Sequence, residues 1–179
     1  MKKNFTIMPP AIFLLIISIF FYLLIIERNP NEVPSVLINK SVPEFEAKYL
    51  VKNKIFVSPT NFDNKITLVN FFATWCKPCR DEHSYIKELA KKTDIQIIGI
   101  NYKDNSKKTV KWLKELGNPY SDVIIDKNGK IAIDWGVYGI PETFIVDLDK
   151  KIQFRHVGPI TKKILKDINV KINKIKKND

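Results

Sequence analysis

Residues 7 to 26 read IMPPAIFLLIISIFFYLLII, twenty consecutive positions without a charged side chain. A helix of this composition is apolar on every side, so it must be jacketed by protein or placed in lipid. About 20 apolar residues in a helix match a hydrocarbon core of about 30 Å. Pro9 and Pro10 fall in the first turn, where a missing N–H costs least. A cleaved export signal would carry an apolar region of about 7–15 residues and a small-x-small cleavage site. Here the stretch is longer and runs into Glu27-Arg28-Asn29-Pro30. The expectation is a retained single-pass transmembrane helix at 7–26.

Lys2 and Lys3 precede this span, and Arg28 is the only basic residue between it and Lys40. The positive-inside rule then keeps residues 1–6 in the cytoplasm and exports the remainder, in a bacterium from the inner membrane into the periplasm. Residues 27–38, with two prolines and little periodicity, read as an extended linker. Residues 39–179 remain for one globular domain, long enough to bury a core.

Composition removes several alternatives. A hydrophobic share of 45% argues against disorder, and two cysteines cannot build a disulfide scaffold or a four-thiolate zinc site. Six glycines exclude a collagen-like chain, and no 20–50-residue repeat is visible. The formal charge is +11, with lysines densest from Thr161 to Lys177. There Ile164, Leu165, Ile168, Ile172 and Ile175 recur at helical spacing, predicting an amphipathic helix with one face on the core. Attraction of its lysines to anionic lipid is the other reading. No nucleic-acid partner is expected outside the cytoplasm.

Along the exported part, Ile66–Phe72, Ile95–Asn101 and Asp122–Asp126 are short apolar runs that read as buried strands. Helices are predicted from Pro78 to Lys92 and from a Ser106 cap through Gly117. Thr143–Val146 and Ile152–His156, joined by a short polar loop, read as a hairpin. Alternating helices and strands followed by a hairpin predict an α/β domain, a mixed central sheet flanked by helices.

Both cysteines sit in Trp75-Cys76-Lys77-Pro78-Cys79, between the first buried strand and the helix after it. A disulfide closing so small a loop restrains the unfolded chain weakly, on the order of 2 kcal/mol. That suits a bond that forms and breaks. At a helix N-terminus, free N–H groups and the dipole favour the thiolate, and a cysteine pKa drops from about 8.5 into a range of about 3.5–7.5. Cys76 is therefore the expected nucleophile and Cys79 the shielded, resolving thiol. A zinc site would need ligands beyond His83 and His156, and a c-type haem site would need His where Arg80 stands. Thiol–disulfide exchange needs no metal or organic cofactor.

The stretch VNFFATWCKPCRDEH resembles the active-site segment of thioredoxin-like proteins, and more narrowly that of the membrane-tethered CcmG/DsbE family of cytochrome c maturation. NYKD (101–104), WLKELGNPY (112–120), GVYGIPETF (136–144) and the entry segment KSVPEF (40–45) are similar to segments of that family. The resemblance implies a thioredoxin-like fold with Pro141 as a cis-proline facing the cysteine pair and the backbone of Ile140 beside Cys76, open to an incoming peptide. It marks Glu82, Glu142, Trp75, Pro78 and Tyr138 as active-site surroundings. Thioredoxins usually hold a buried acid six residues before the first cysteine, where this chain has Asn70. Glu82 is the first substitute for that acid and Glu142 the second. Family members often carry an acid where Pro159 stands. Trp75 is expected to cover Cys76, with Trp112 and Trp135 in the core.

The implied activity is a reductant that keeps the haem-site cysteines of apocytochrome c reduced, directly or through a dithiol protein of the maturation complex. A membrane electron donor of the DsbD or CcdA kind would recharge it. A general periplasmic reductase, an oxidase of the DsbA type and a non-redox apocytochrome-binding module are the alternatives.

Overall fold

The computed structural model describes residues 8–25, 37–62, 64–92 and 94–178. Residues 1–6 and 27–36, expected as the cytoplasmic end and most of the linker, lie outside the described residues, as do Ile7 and Ile26. The chain divides into two units, Met1–Pro30 and Asn31–Asp179. The first holds α1 (Met8–Ile25), an 18-residue helix with no charged residue. At 1.5 Å per residue it is about 27 Å long. Among the described residues no helix is long and apolar enough to cross a membrane.

In the second unit an antiparallel pair, β1 (Phe45–Lys48) and β2 (Ile55–Ser58), precedes the main sheet. Then follow β3 (Ile66–Phe72), α2 (Lys77–Leu89), β4 (Ile95–Tyr102), α3 (Ser106–Leu116) and β5 (Asp122–Asp126). α4 (Lys130–Asp134), β6 (Glu142–Val146), β7 (Ile152–Val157) and α5 (Lys162–Asn178) complete it. Among the described residues, five strands form a mixed sheet in the order β5-β4-β3-β6-β7. β3, β4 and β5 run parallel, while β6 is antiparallel to β3 and to β7.

The central position of β3 explains its composition. All seven of its residues are buried, so it reads ITLVNFF without the alternation of a half-solvated strand. The steps from β3 to β4 to β5 go in one direction, so right-handed crossovers lay α2 and α3 on the same face. There Leu68 and Phe72 pack with Ile86, Leu89, Trp112 and Leu113, joined by Leu165, Ile168 and Ile172 of α5. Each such side chain contributes about 1.5–3 kcal/mol when fully buried. The other face sets Val69 and Phe71 against Phe56, Ile131, Trp135 and Phe144. Trp112 and Trp135 are both core residues, as expected.

Gly99 on β4 marks a close approach. A Cβ there would lie 2.9 Å from the rings of both Phe72 and Tyr120, which stack with centroids 4.8 Å apart. The margins of the sheet are partly covered by the chain that leads into β3. Tyr49 bridges Ile124 and the Leu50 N–H donates to the Val123 carbonyl on β5. On β7, Ile152 exchanges backbone hydrogen bonds with Asn39 and Lys40.

Two local expectations are corrected, and three short elements are added. Asn105, not Ser106, caps α3, its side chain accepting from the Lys107 and Lys108 N–H groups; the amide oxygen of Asn reaches both donors from a residue still in extended conformation. The helix predicted to Lys92 ends at Leu89, before Lys91 and Lys92. The β1–β2 pair and α4 are additional elements, each too short to carry a recognisable period.

Candidate active site

The antiparallel register of β3 and β6 pairs Phe71 with Glu142. Because the two strands run in opposite directions, the segment entering β6 arrives where β3 ends and α2 begins. That segment carries Pro141, whose bond to Ile140 is cis. Cys76 is the N-cap of α2, with Pro78 in the first turn. A disulfide joins Cys76 and Cys79, with Cα atoms 5.3 Å apart. Both cysteines are buried, 5% and 2% exposed, so a partner reaches the pair only along a defined approach. Cys76 Sγ accepts from the Cys79 N–H at 3.1 Å and lies 3.7 Å from the Ile140 carbonyl oxygen. The first contact is one that would favour a thiolate at Cys76 once the bond is reduced.

A buried polar network joins α2 to β3 and β6. Glu82 is fully buried; Oε1 accepts from Asn70 Nδ2 at 2.9 Å and Oε2 from the Ile160 N–H at 2.8 Å. Asn70 also donates to Thr143 Oγ1 at 3.0 Å and accepts from the Tyr120 hydroxyl at 2.8 Å. Burial pushes the Glu82 carboxyl up to about 7, against the opposing pull of the Ile160 and Asn70 hydrogen bonds. Burial, then the charge of Glu82, raises the Tyr120 phenol. Pro159 is exposed and immediately precedes the Ile160 N–H that holds Glu82.

Glu142 is equally buried but differently engaged. Oε1 accepts from the N–H groups of Tyr138 and Gly139, at 2.8 and 3.3 Å. Oε2 meets the Arg155 guanidinium at 2.8 Å. Tyr138 itself is 77% exposed, its ring 4.9 Å from the Arg155 guanidinium.

The turn that delivers Cys76 is held from the other side. Asp104 accepts from the Thr74 N–H at 2.6 Å, the Thr74 hydroxyl at 3.0 Å and the Asn105 N–H at 2.7 Å. Burial alone would raise this carboxyl, but the hydrogen bonds outweigh it and hold the pKa below the usual value. Trp75 is 60% exposed, its ring nitrogen donating to the Lys103 carbonyl at 3.3 Å. The indole is thus docked on the β4–α3 connection and open to solvent.

His83 and His156 are each turned to backbone carbonyls, of Gly117 at 2.8 Å and Pro159 at 3.3 Å, and burial lowers both pKa values. Among the described residues no three His, Cys, Asp or Glu side chains gather as a metal site. Asp104, Tyr120, Thr143 and Arg155 are members of the site that the motif reading did not single out. Two of them, Asp104 and Tyr120, close the NYKD and WLKELGNPY segments.

A Cys-x-x-Cys disulfide capping a helix at the end of a central strand, opposite a cis-proline segment, defines a thioredoxin-like thiol–disulfide oxidoreductase. Comparisons with known proteins agree. Residues 37–171 match the redoxin family. The thiol:disulfide interchange protein CycY of Rhizobium leguminosarum bv. viciae is 46% identical over 140 residues, covering 78% of this chain and 75% of that protein. The thiol:disulfide interchange protein DsbE of Vibrio cholerae is 40% identical over 163 residues, covering 89% and 88%. A solved structure described as a putative DsbE from Chlorobium tepidum superimposes with a TM-score of 0.69 at 20% identity, over 77% of this chain and 96% of that one, and shares its fold. The chain belongs to the DsbE-type thiol:disulfide interchange proteins of the redoxin family.

Proposed function

We propose that this protein is a reductant of cytochrome c biogenesis, anchored in the bacterial inner membrane through residues 7–26, with the domain of residues 39–179 in the periplasm. Cys76 is the nucleophile: as thiolate it attacks a client disulfide, a mixed disulfide forms and the first client sulfur leaves as thiolate. Cys79 gives up its proton, attacks the Cys76 sulfur and releases the second client thiolate. The protein is left with the Cys76–Cys79 disulfide. Two electrons have passed to the client, and a membrane electron donor of the DsbD or CcdA kind restores the dithiol. The clients are the haem-site cysteines of apocytochrome c or a dithiol protein of the maturation complex.

The observation that carries this reading is the Cys76–Cys79 disulfide at the tip of α2, 3.7 Å from the Ile140 carbonyl. Sulfur chemistry and a backbone that can pair with an extended peptide meet at one point. Glu82, one turn past Cys79 and titrating near 7, is suited to receive the Cys79 proton. Glu142, with its charge met by Arg155, is suited to hold structure instead. Trp75, next to Cys76 in the chain, and Tyr138, two residues before Ile140, are exposed aromatics, and Pro78 sits exposed in the first turn of α2.

Cys79→Ser should trap a mixed disulfide with the client, and Cys76→Ser should abolish exchange. Capture of an apocytochrome or a maturation dithiol protein supports the reading. Capture of unrelated periplasmic proteins points to a general reductase. A potential near −120 mV would mark an oxidase. Haem attachment that persists when both cysteines are serine would mark a binding module.

A further inference from the structure

Arg155 lies on β7, two strands from β3, yet its contacts converge on the segment entering β6. Nε donates to Glu142 Oε2 at 2.8 Å, and Nη2 reaches that same oxygen at 2.8 Å. Nη2 also donates to the Gly136 carbonyl at 2.8 Å. The planar cation lies 4.9 Å from the ring centre of Tyr138 and 5.7 Å from that of Phe144. Glu142 completes the frame, its second oxygen holding the Tyr138 and Gly139 N–H groups. The two side chains are only 4% and 0% exposed.

A buried ion pair is a poor stability device, because apolar residues of the same volume often serve as well or better. What an Arg fork supplies is direction: several donors in one rigid plane, aimed at partners that must stay in register. Here the partners are Glu142 and Gly136, at either end of a segment with glycine at 136 and 139. Left unheld, such a segment would have to be ordered each time a peptide bound. Every loose backbone residue then costs on the order of tenfold in affinity.

We infer that Arg155 is a positioning residue for client binding: through Glu142 and Gly136 it holds residues 136–140 so that the Ile140 backbone stays presented beside Cys76. The inference rests on the reading that Ile140 receives the client's main chain. A small disulfide, which needs no strand pairing, depends on this frame far less than a peptide does.

The test compares two substrates of the reduced full-length protein: a peptide whose two cysteines form an internal disulfide, and oxidised glutathione. Arg155→Met should lower the single-turnover rate constant for reducing the peptide about tenfold more than that for glutathione, mainly by raising the concentration at half-saturation. Arg155→Lys keeps a charge beside Glu142 but cannot also hold Gly136, so it should lower the same ratio by a smaller factor. It carries the test should Arg155→Met fail to fold. Equal losses on both substrates overturn the inference, since a packing defect does not discriminate between them. A wild-type protein that handles the peptide no better than glutathione, with no saturation, overturns the reading of Ile140 instead.

Discussion

Asn70 donates a 2.9 Å hydrogen bond to the Glu82 carboxylate, linking the strand before the disulfide to the helix after it. Thioredoxins usually carry a buried acid at the Asn70 position. In this chain the acid stands on α2 and the strand supplies its amide donor, which is itself oriented by Tyr120 and Thr143. The carboxyl is approached from another element, and Asn70, held by Tyr120 and Thr143, shares the work of solvating it with the Ile160 N–H.

That arrangement makes stability depend on pH. The Glu82 carboxyl rises from an ordinary 4.5 to about 7 on folding, so the native state holds its proton more tightly than the unfolded chain. Below pH 4.5 the group is protonated in both states and has no effect. As pH rises towards 7 the unfolded state ionises first, and the native state loses stability by about 3 kcal/mol. Urea denaturation across this window should show the decline, and Glu82→Gln should flatten it. An unchanged slope would exclude Glu82 as the titrating group.

The same substitution removes a negative charge near the thiols once Glu82 ionises. In the reduced protein Glu82→Gln should lower the Cys76 pKa by up to about one unit. The rate of iodoacetamide alkylation against pH measures it, and an unmoved midpoint would show that the two groups do not sense each other.

Gly99→Ala should destabilise the domain by about 1–3 kcal/mol, because the new methyl meets the Phe72 and Tyr120 rings where they stack. Thermal denaturation checks the magnitude. The displaced ring carries the hydroxyl that binds Asn70, so the pH dependence assigned to Glu82 should shift as well.

Asp104→Ala leaves the Thr74 N–H without its 2.6 Å acceptor and should cost about 1–3 kcal/mol at neutral pH. The Asp104 pKa is depressed in the native state. Its contribution is therefore complete above the ordinary carboxylate range and lost as pH falls through the depressed value. Melting temperatures of wild type and variant should converge in acid. A constant gap would show that charge plays no part in holding the turn.

Much of this site was legible because its chemistry is local. Cys76 and Cys79 needed only their spacing and the strand–helix change around them, and β3 and β5 follow from short, largely apolar runs. What stayed hidden is non-local. Arg155 sits in IQFRH, where it reads as one charge on a strand, and its meaning comes from the register that brings Glu142 alongside Val157 two residues away. Tyr120 follows a proline outside any regular element, and Asn70 looked like a replacement rather than a donor. The capping of α3 turned on one residue, since Asn105 and Ser106 are both competent and only backbone conformation separates them.

The chain between Asn39 and Leu50 touches both margins of the sheet, at Ile152 on one side and at Val123 and Ile124 on the other. Uncovered margins invite foreign strands, the first step towards clumping. A catalyst proposed to work among half-made polypeptides meets that hazard constantly. With its flanks occupied by its own leader segment, the domain is guarded against indiscriminate annealing and can keep adhesion for the one spot where sulfur chemistry follows.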